Sequence, residues 1–351
     1  MAMSPLRIAI DAMGGDYGPR ATVRGTAAAL SERRELVATL YGRRHLLDVE
    51  LSRLPSSLSS ARHRIAIVEA GDSVSAEMTP SSVLRSSRMT SMRASLDALC
   101  RGDAHACVSA GNTGALMALA RRDIGMLEGI ERPAISGKIP NASRGPCYML
   151  DLGANVDCRP AHLVDFAFMG ARMVQLIDGV ANPRVGLLNV GVESIKGERR
   201  VREADRLLRE RVPLPFDYRG NIEGDDVFTG DIEVAVCDGM AGNIALKSSE
   251  GLARMLGQRL RDEFQRGFYA RLVGLLARPV LRRFLQELSP VRYNGASFLG
   301  LRSTVVKSHG GARWKGFAWA VKRAADEARQ ALPQRLMLSS SEHGGEGSIG
   351  S

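Results

Sequence analysis

Four asparagines, one lysine and a set of glycines and aspartates sit at loop positions along this chain. Their types suit holding an anion better than making a nucleophilic attack. Lys196 lies in Glu193-Ser194-Ile195-Lys196-Gly197, and Asn112, Asn155, Asn189 and Asn243 each stand in or beside a Gly-rich turn. An ammonium brings a point charge with three donors, an Asn amide brings two, and the N–H groups of a glycine turn can converge on one oxyanion. The plain alternative is that the lysine is solvated and that Gly and Asx do no more than turn the chain, as they do everywhere.

Other chemistries lack their residues. The turn Gly14-Gly15-Asp16 does not have GxGxxG spacing, and the next apolar run ends at Tyr41-Gly42 with no acid for a ribose, so the usual dinucleotide site is excluded. Neither GxxxxGK[ST] nor GxSxG occurs, the 6 His residues form no pair at ligand spacing, and the 5 Cys form no CxxC. No metal and no organic cofactor is expected. The cysteines, at 100, 107, 147, 158 and 237, read as reduced thiols of a cytoplasmic protein. With no nucleophile of its own, an enzyme of this inventory works if the bound anion attacks. Inorganic phosphate attacking an acyl thioester fits: amides and lysine hold the phosphate, and a further N–H or Asn amide stabilises the oxyanion as the thiolate leaves.

The elements that must position these groups repeat one pattern: apolar strand, Gly/Asx loop, helix. The first unit runs from Leu6–Asp11 into Gly14, Gly15 and an Ala-rich helix through Leu30, with Asp11 closing the strand. The second runs from Ala104–Ser109 into Asn112 and Thr113, and the third from Cys147–Leu152 into Gly153 and Asn155. The fourth runs from Arg184–Val190, with Asn189, into the Lys196 loop. The fifth runs from Ile232–Cys237 into Asp238, Gly239, Gly242 and Asn243, with a helix from Ile244. Alternating strands and helices predict a three-layer α/β/α fold on a mostly parallel sheet. Such sheets bind ligands outside the carboxyl ends of their strands, so all five loops are expected on one edge.

Elsewhere, Leu36–Tyr41 and Arg64–Glu69 read as strands, and the Met- and Ser-rich helix within 72–99 lines either an apolar groove or ordinary core. Residues 129–145 read as a connection with a short edge strand, 294–300 and 305–315 as Gly-rich turns, and Trp314–Ala331 as a closing helix. One domain is expected over 5–335, followed by a disordered tail at 336–351 rich in Gly, Ser and Glu.

Charge is uneven. The net +10 comes from residues 252–335, which hold 17 Lys/Arg against 5 Asp/Glu, whereas residues 1–251 balance at 31 and 31. With 2 Trp, 6 Tyr and no basic-aromatic interleaving, nucleic acid is not an expected partner. Leu252, Leu256, Leu260 and Phe264 fall on one helix face, and Pro279 is expected to break or kink a following helix that continues to about Leu288. The tip holds Phe268, Leu272, Leu275 and Leu276 among arginines. This amphipathic hairpin, over 252–290, either covers the sheet or lies on an anionic membrane surface. The start MAMSPLRIAID has no apolar signal core, and no run is long enough to span a bilayer.

In order, IDAMGGDYGP, CVSAGNTGALM, DLGANVDC, RVGLLNVGVESIKGE, CDGMAGNIALKSSEG and NGASFLGL…VVKSHG run from Leu6 to about Pro333. In these motifs the chain resembles the bacterial phosphate acyltransferases, which are acyl-acyl carrier protein:phosphate transacylases of phospholipid synthesis. The resemblance implies reversible transfer of a long-chain acyl group from acyl carrier protein to inorganic phosphate. The acyl phosphate then feeds the membrane acyl-phosphate:glycerol-3-phosphate acyltransferase. It also implies a homodimer, a fold similar to the isocitrate and isopropylmalate dehydrogenases, peripheral membrane association through the hairpin, and no cofactor. Lys196 and Asn243 are then the catalytic candidates, Lys196 on phosphate and Asn243 at the thioester carbonyl. Two departures stand out: Met240-Ala241 replaces a usual Phe-Thr, and Tyr17 replaces a frequent His. The alternatives are a transacylase of short acyl-coenzyme A and a non-catalytic membrane or carrier-protein adaptor.

Overall fold

A computed structural model of the chain describes residues 5–341 apart from 76, 87, 144, 288 and 290. The strands are β1 Leu6–Asp11, β2 Leu36–Gly42, β3 Ile65–Glu69, β4 Ala106–Ser109, β5 Ala134–Pro140 and β6 Pro146–Leu150. They continue with β7 Arg184–Leu188, β8 Asp217–Ile222, β9 Val234–Val236, β10 Ala296–Leu299 and β11 Thr304–Lys307. Among the described residues they form one 11-stranded sheet in the order β3-β2-β1-β4-β11-β10-β5-β6-β9-β7-β8.

Two parallel blocks make up this sheet. β3, β2, β1, β4 and β11 run together, as do β6, β9, β7 and β8. Between them β11–β10, β10–β5 and β5–β6 are all antiparallel, which leaves the blocks pointing in opposite directions. The loops after β1, β4 and β11 therefore leave by one edge, here called upper, and those after β6, β7 and β9 leave by the other. This corrects the expectation of five loops on one edge. The reversal depends on strands that the sequence disguises: β10 and β11 are four-residue strands where Gly-rich turns are expected, and β5 lies inside the sheet rather than at its margin.

Both sheet faces are covered, because buried parallel strands carry apolar residues on each side. In β1, Ile8 and Ile10 join the core beneath the helices Gly18–Glu32 and Trp314–Arg329, while Ala9 faces the opposite layer. In β6, Tyr148 and Leu150 pack with Phe166 and Met173 of the helix Pro160–Ile177, while Cys147 and Met149 join Ala9 in a core common to both blocks. That common core also holds Met92 and Leu96 of the helix Ser91–Cys100, so Met92 is ordinary core and lines no groove. The three-layer expectation holds.

The hairpin consists of the helices Gly239–Glu263 and Phe268–Glu287, which turn through Gly267 at φ 136°. Pro279 lies inside one continuous helix, so of the expected break or kink the break does not occur. Nor does the hairpin cover the sheet: the first helix buries only Gly239, Gly242 and Gly257. Phe268, Leu272, Leu275, Leu276, Val280 and Phe284 are all exposed. At the other end, the helix Leu332–Ser341 inserts Leu332 and Leu336 into the core, so regular structure extends into the segment expected to be a tail. The rest of that tail, 342–351, lies outside the described residues.

Candidate active site

At the upper edge the organising group is Asp11, fully buried at the end of β1. Its two carboxylate oxygens accept hydrogen bonds from the hydroxyls of Ser91 (2.5 Å) and Ser109 (2.6 Å). Burial raises its pKa, while those hydroxyls and nearby Lys307 pull it back down. Gly14 packs against this carboxylate so closely that a Cβ would sit 2.6 Å from Oδ2. Gly15 takes φ 87°, a conformation glycine adopts freely, and lies beside Ala110 and the Gly310 carbonyl. The loops after β1 and β11 are joined where Asp16 N–H donates to Gly310 O (3.0 Å).

Lys307, at the end of β11, is also buried, and its ammonium donates to the carbonyls of Ala110 (3.3 Å) and Ser308. Burial pushes its pKa down to about 8, with Asp11 and Asp16 opposing the shift. Asn112 caps the helix Thr113–Asp123 by accepting from Ala115 N–H (3.1 Å), and its amide nitrogen donates to the carbonyls of Ser75 and Met78. Thr113 is exposed at the first turn of that helix.

The lower edge uses the same device. Asp151, buried just after β6, accepts from the N–H groups of Ile135, Gly153, Ala154 and Asn155 and from the Asn155 side chain. Asn155 also donates to Pro133 O (2.7 Å) and is itself buried. The loop's amides thus converge on an anion, and that anion belongs to the protein. The helix Gly239–Glu263 is capped in the same way: Asp238 Oδ1 accepts from Met240 N–H (2.8 Å) and Ala241 N–H (2.9 Å), and Oδ2 pairs with Arg200 (2.9 Å). The helix starts at Gly239, not Ile244, so the glycines are packing positions and not the bend of a loop. A Cβ on Gly242 would lie 1.9 Å from the Asp151 carbonyl, and one on Gly239 2.9 Å from that of Asn155.

With these lower-edge backbone donors committed, the side chains there remain. Asn189 donates to Lys196 O (3.1 Å) and fastens the loop after β7. Lys196 is half exposed and pairs with Glu193 at 2.8 Å, a contact that raises its pKa. Asn243 is exposed one turn into its helix beside the Gly153 turn, and among the described residues its amide has no hydrogen-bond partner. Both catalytic candidates therefore belong to the lower edge. Asp11, Gly14, Gly15, Asn112 and Thr113 belong to the upper one.

One helix joins the two edges. Asn243 and Lys247 are four residues apart on the helix Gly239–Glu263, hence on one face and about 6 Å apart along the axis. The Lys247 ammonium lies 3.3 Å from His309 Nε2, in the loop after β11. Burial lowers the His309 pKa, and the Lys247 charge lowers it further, so the ring is neutral near pH 7. Asn243, Lys247 and His309 thus form a row of polar side chains from the lower to the upper edge, in which the Lys247 ammonium already pairs with Glu250 at 3.1 Å.

No thiol competes as a nucleophile: burial pushes Cys107, Cys147 and Cys158 up to about 12, raises Cys237 well above the usual thiol range, and also raises exposed Cys100. Sequence reading missed Asp151, Ser91, Ser109, Lys307, Lys247 and His309. Lys247 and His309 lie in quoted motifs, but only the folded helix brings them together.

Residues 6–335 match the family described as "Fatty acid synthesis protein". A curated phosphate acyltransferase of Pseudomonas aeruginosa (strain UCBPP-PA14) is 49% identical over 334 residues, covering 95% of this chain and 97% of that protein. Among solved structures, a phosphotransacetylase from Streptococcus pyogenes superposes with TM-score 0.63 at 15% identity over 93% of this chain and 94% of that one. A 4-hydroxythreonine-4-phosphate dehydrogenase from Klebsiella pneumoniae superposes with TM-score 0.55 at 14% identity, covering 93% and 99%. At such identities the likeness concerns the fold, which hosts more than one chemistry.

Proposed function

The chain belongs to the fatty acid synthesis protein family as a phosphate acyltransferase, and we propose that its donor is a long-chain fatty acyl group on acyl carrier protein. The observation that carries the mechanism is the exposed Asn243 amide, without a partner among the described residues, on the helix after β9, with Lys196 on the loop after the adjacent strand β7. Phosphate binds at Lys196, displacing Glu193, whose carboxylate occupies that ammonium in the free protein. A phosphate oxygen attacks the thioester carbonyl carbon, and the Asn243 amide donates to the oxyanion that forms. The tetrahedral intermediate collapses by breaking the C–S bond. The thiolate leaves and takes up the proton of hydrogen phosphate, giving acyl phosphate and free carrier thiol. Each step is reversible, and no residue is acylated.

In this reading the product feeds a membrane acyl-phosphate:glycerol-3-phosphate acyltransferase in phospholipid synthesis. The protein works as a cytoplasmic homodimer, held peripherally on an anionic membrane by the exposed hairpin. A poorly soluble, hydrolysable product gives a reason for that location. Among the described residues no helix is long and apolar enough to cross a membrane.

The donor is tested by comparing palmitoyl-acyl carrier protein with acetyl-coenzyme A at equal concentrations in the presence of phosphate, following acyl phosphate by hydroxylamine trapping. The expected result is a higher kcat/KM for the carrier-linked long chain. A preference for acetyl-coenzyme A supports a short-chain transacylase, and no phosphate-dependent product from either donor supports the adaptor.

A further inference from the structure

An arginine cluster that the mechanism leaves unused lines a concavity of about 680 Å³ beside the upper edge. Its walls carry Arg20, Arg24, Arg53 and Arg313 against a single carboxylate, Glu50, together with Tyr17 and Trp314. Only Arg53 has a carboxylate partner there, Glu50 at 3.0 Å. Among the described residues Arg20, Arg24 and Arg313 have no ion pair, and aromatic faces support two of them. Arg24 lies 4.5 Å from the centre of the Trp314 ring and Arg313 lies 5.4 Å from that of Tyr17. Rings of this kind hold guanidinium groups in place without neutralising them. Like charges gathered in a concavity repel one another, and the field they focus outward attracts an anionic partner.

The position of the concavity matters as much as its charge. Tyr17 follows Asp16, whose N–H is bonded to Gly310 O, and Arg313 and Trp314 follow the same loop out of β11. The two loops that build the upper edge of the site therefore also wall the socket. Arg313 in the socket wall lies four residues beyond His309 in the same loop, so a partner seated there borders the edge that carries His309. The reacting thioester sits at the end of a long flexible prosthetic arm on an acidic carrier. Such a donor needs its body bound outside the cleft while the arm reaches in.

We propose that the arginine socket formed by Arg20, Arg24, Arg53 and Arg313 is the docking surface for an acidic acyl carrier protein. This rests on the carrier-linked donor proposed above. This surface is distinct from the basic hairpin: Arg20, Arg24 and Arg53 lie within residues 1–251, whose charges balance overall. Carboxylates on the carrier replace the missing partners of these guanidiniums, and the contact sets donor specificity without touching the reacting atoms.

The test is the ratio of kcat/KM for a fatty acyl-acyl carrier protein to kcat/KM for the same acyl group on free pantetheine, at saturating phosphate. Arg24→Glu with Arg53→Glu is expected to lower that ratio at least about tenfold, because like charges placed opposite an acidic partner oppose association. If this pair of changes lowers the melting temperature, Arg24→Gln with Arg53→Gln replaces it, with a smaller drop in the ratio expected. An unchanged ratio in the variants, with a wild type that prefers the carrier-linked donor, overturns the socket alone. A fall in the ratio on Arg271→Glu with Arg278→Glu, and not on the socket changes, assigns docking to the hairpin and also overturns it. A wild type with no preference for the carrier-linked thioester overturns the donor reading itself.

Discussion

Asn243→Ala should lower kcat by about a hundredfold or more with both substrates saturating, and should leave the melting temperature where it was. A single pre-aimed donor to an oxyanion is worth roughly 3–4 kcal/mol in the transition state, because it is fixed before charge develops and needs no reorganisation. The fold should tolerate the change, since the Asn243 side chain is exposed and bonded to no described protein group. Lys196→Ala should act differently. In the proposed mechanism its ammonium meets phosphate before and during attack, so the KM for phosphate should rise as kcat falls. Its pair with Glu193 is solvent-exposed, so losing it should not unfold the protein. Steady-state kinetics with both substrates varied separate the two roles. Near wild-type turnover in Asn243→Ala sinks the assignment to that residue, and an unchanged phosphate KM in Lys196→Ala sinks the other.

The second large effect is expected at the hairpin. Changing Leu272, Leu275 and Leu276 together to Glu should abolish co-sedimentation with vesicles containing anionic lipid, while thermal stability holds. The three leucines are 47%, 63% and 75% exposed, so they contribute little to the core of the described chain. Arg271, Arg278, Arg282 and Arg283 are exposed on the same helix. Each adds about 1 kcal/mol of attraction near an anionic surface, which gives reversible rather than permanent binding. Vesicles of neutral lipid provide the control and should bind weakly even the wild type. Sedimentation that survives the triple change removes the membrane role of these leucines. Unfolding of the variant would mean that they are buried against a second copy of the chain.

Much of the architecture was legible because the apolar strand and Gly/Asx loop recur, and β1 emerges with the bounds Leu6–Asp11 that its LRIAID run suggests. The strand directions were not legible. β10 and β11 span four residues each, too few to show a period, and β5 is flanked by structure breakers at Pro133, Asn141 and Gly145 that imitate a connection. Reading β10 and β11 as turns and β5 as a connection with a short edge strand hid three antiparallel pairings and so placed loops from two edges on one.

The loops that carry the candidate residues were legible, and the partners of their backbone donors were not. Gly-rich loops do gather N–H groups around an anion, as the sequence suggests, but at the lower edge the anion is Asp151 and at the helix start it is Asp238. No spacing rule says whether a carboxylate beside such a turn folds into it or leaves it open for a ligand. Lys247 and His309 were missed for a related reason: they are far apart in sequence and meet only because a helix crosses between the edges.

The central claim is that bound phosphate is itself the nucleophile and that the chain is never acylated. The most direct measurement is to incubate the protein with fatty acyl-acyl carrier protein first without phosphate and then with it. Free carrier thiol, acyl phosphate and the intact mass of the protein are followed throughout. The account predicts no thiol release and no mass change without phosphate, then release of thiol in equal amount to acyl phosphate once phosphate is added. Thiol release before phosphate, together with a protein heavier by one acyl group, would contradict it.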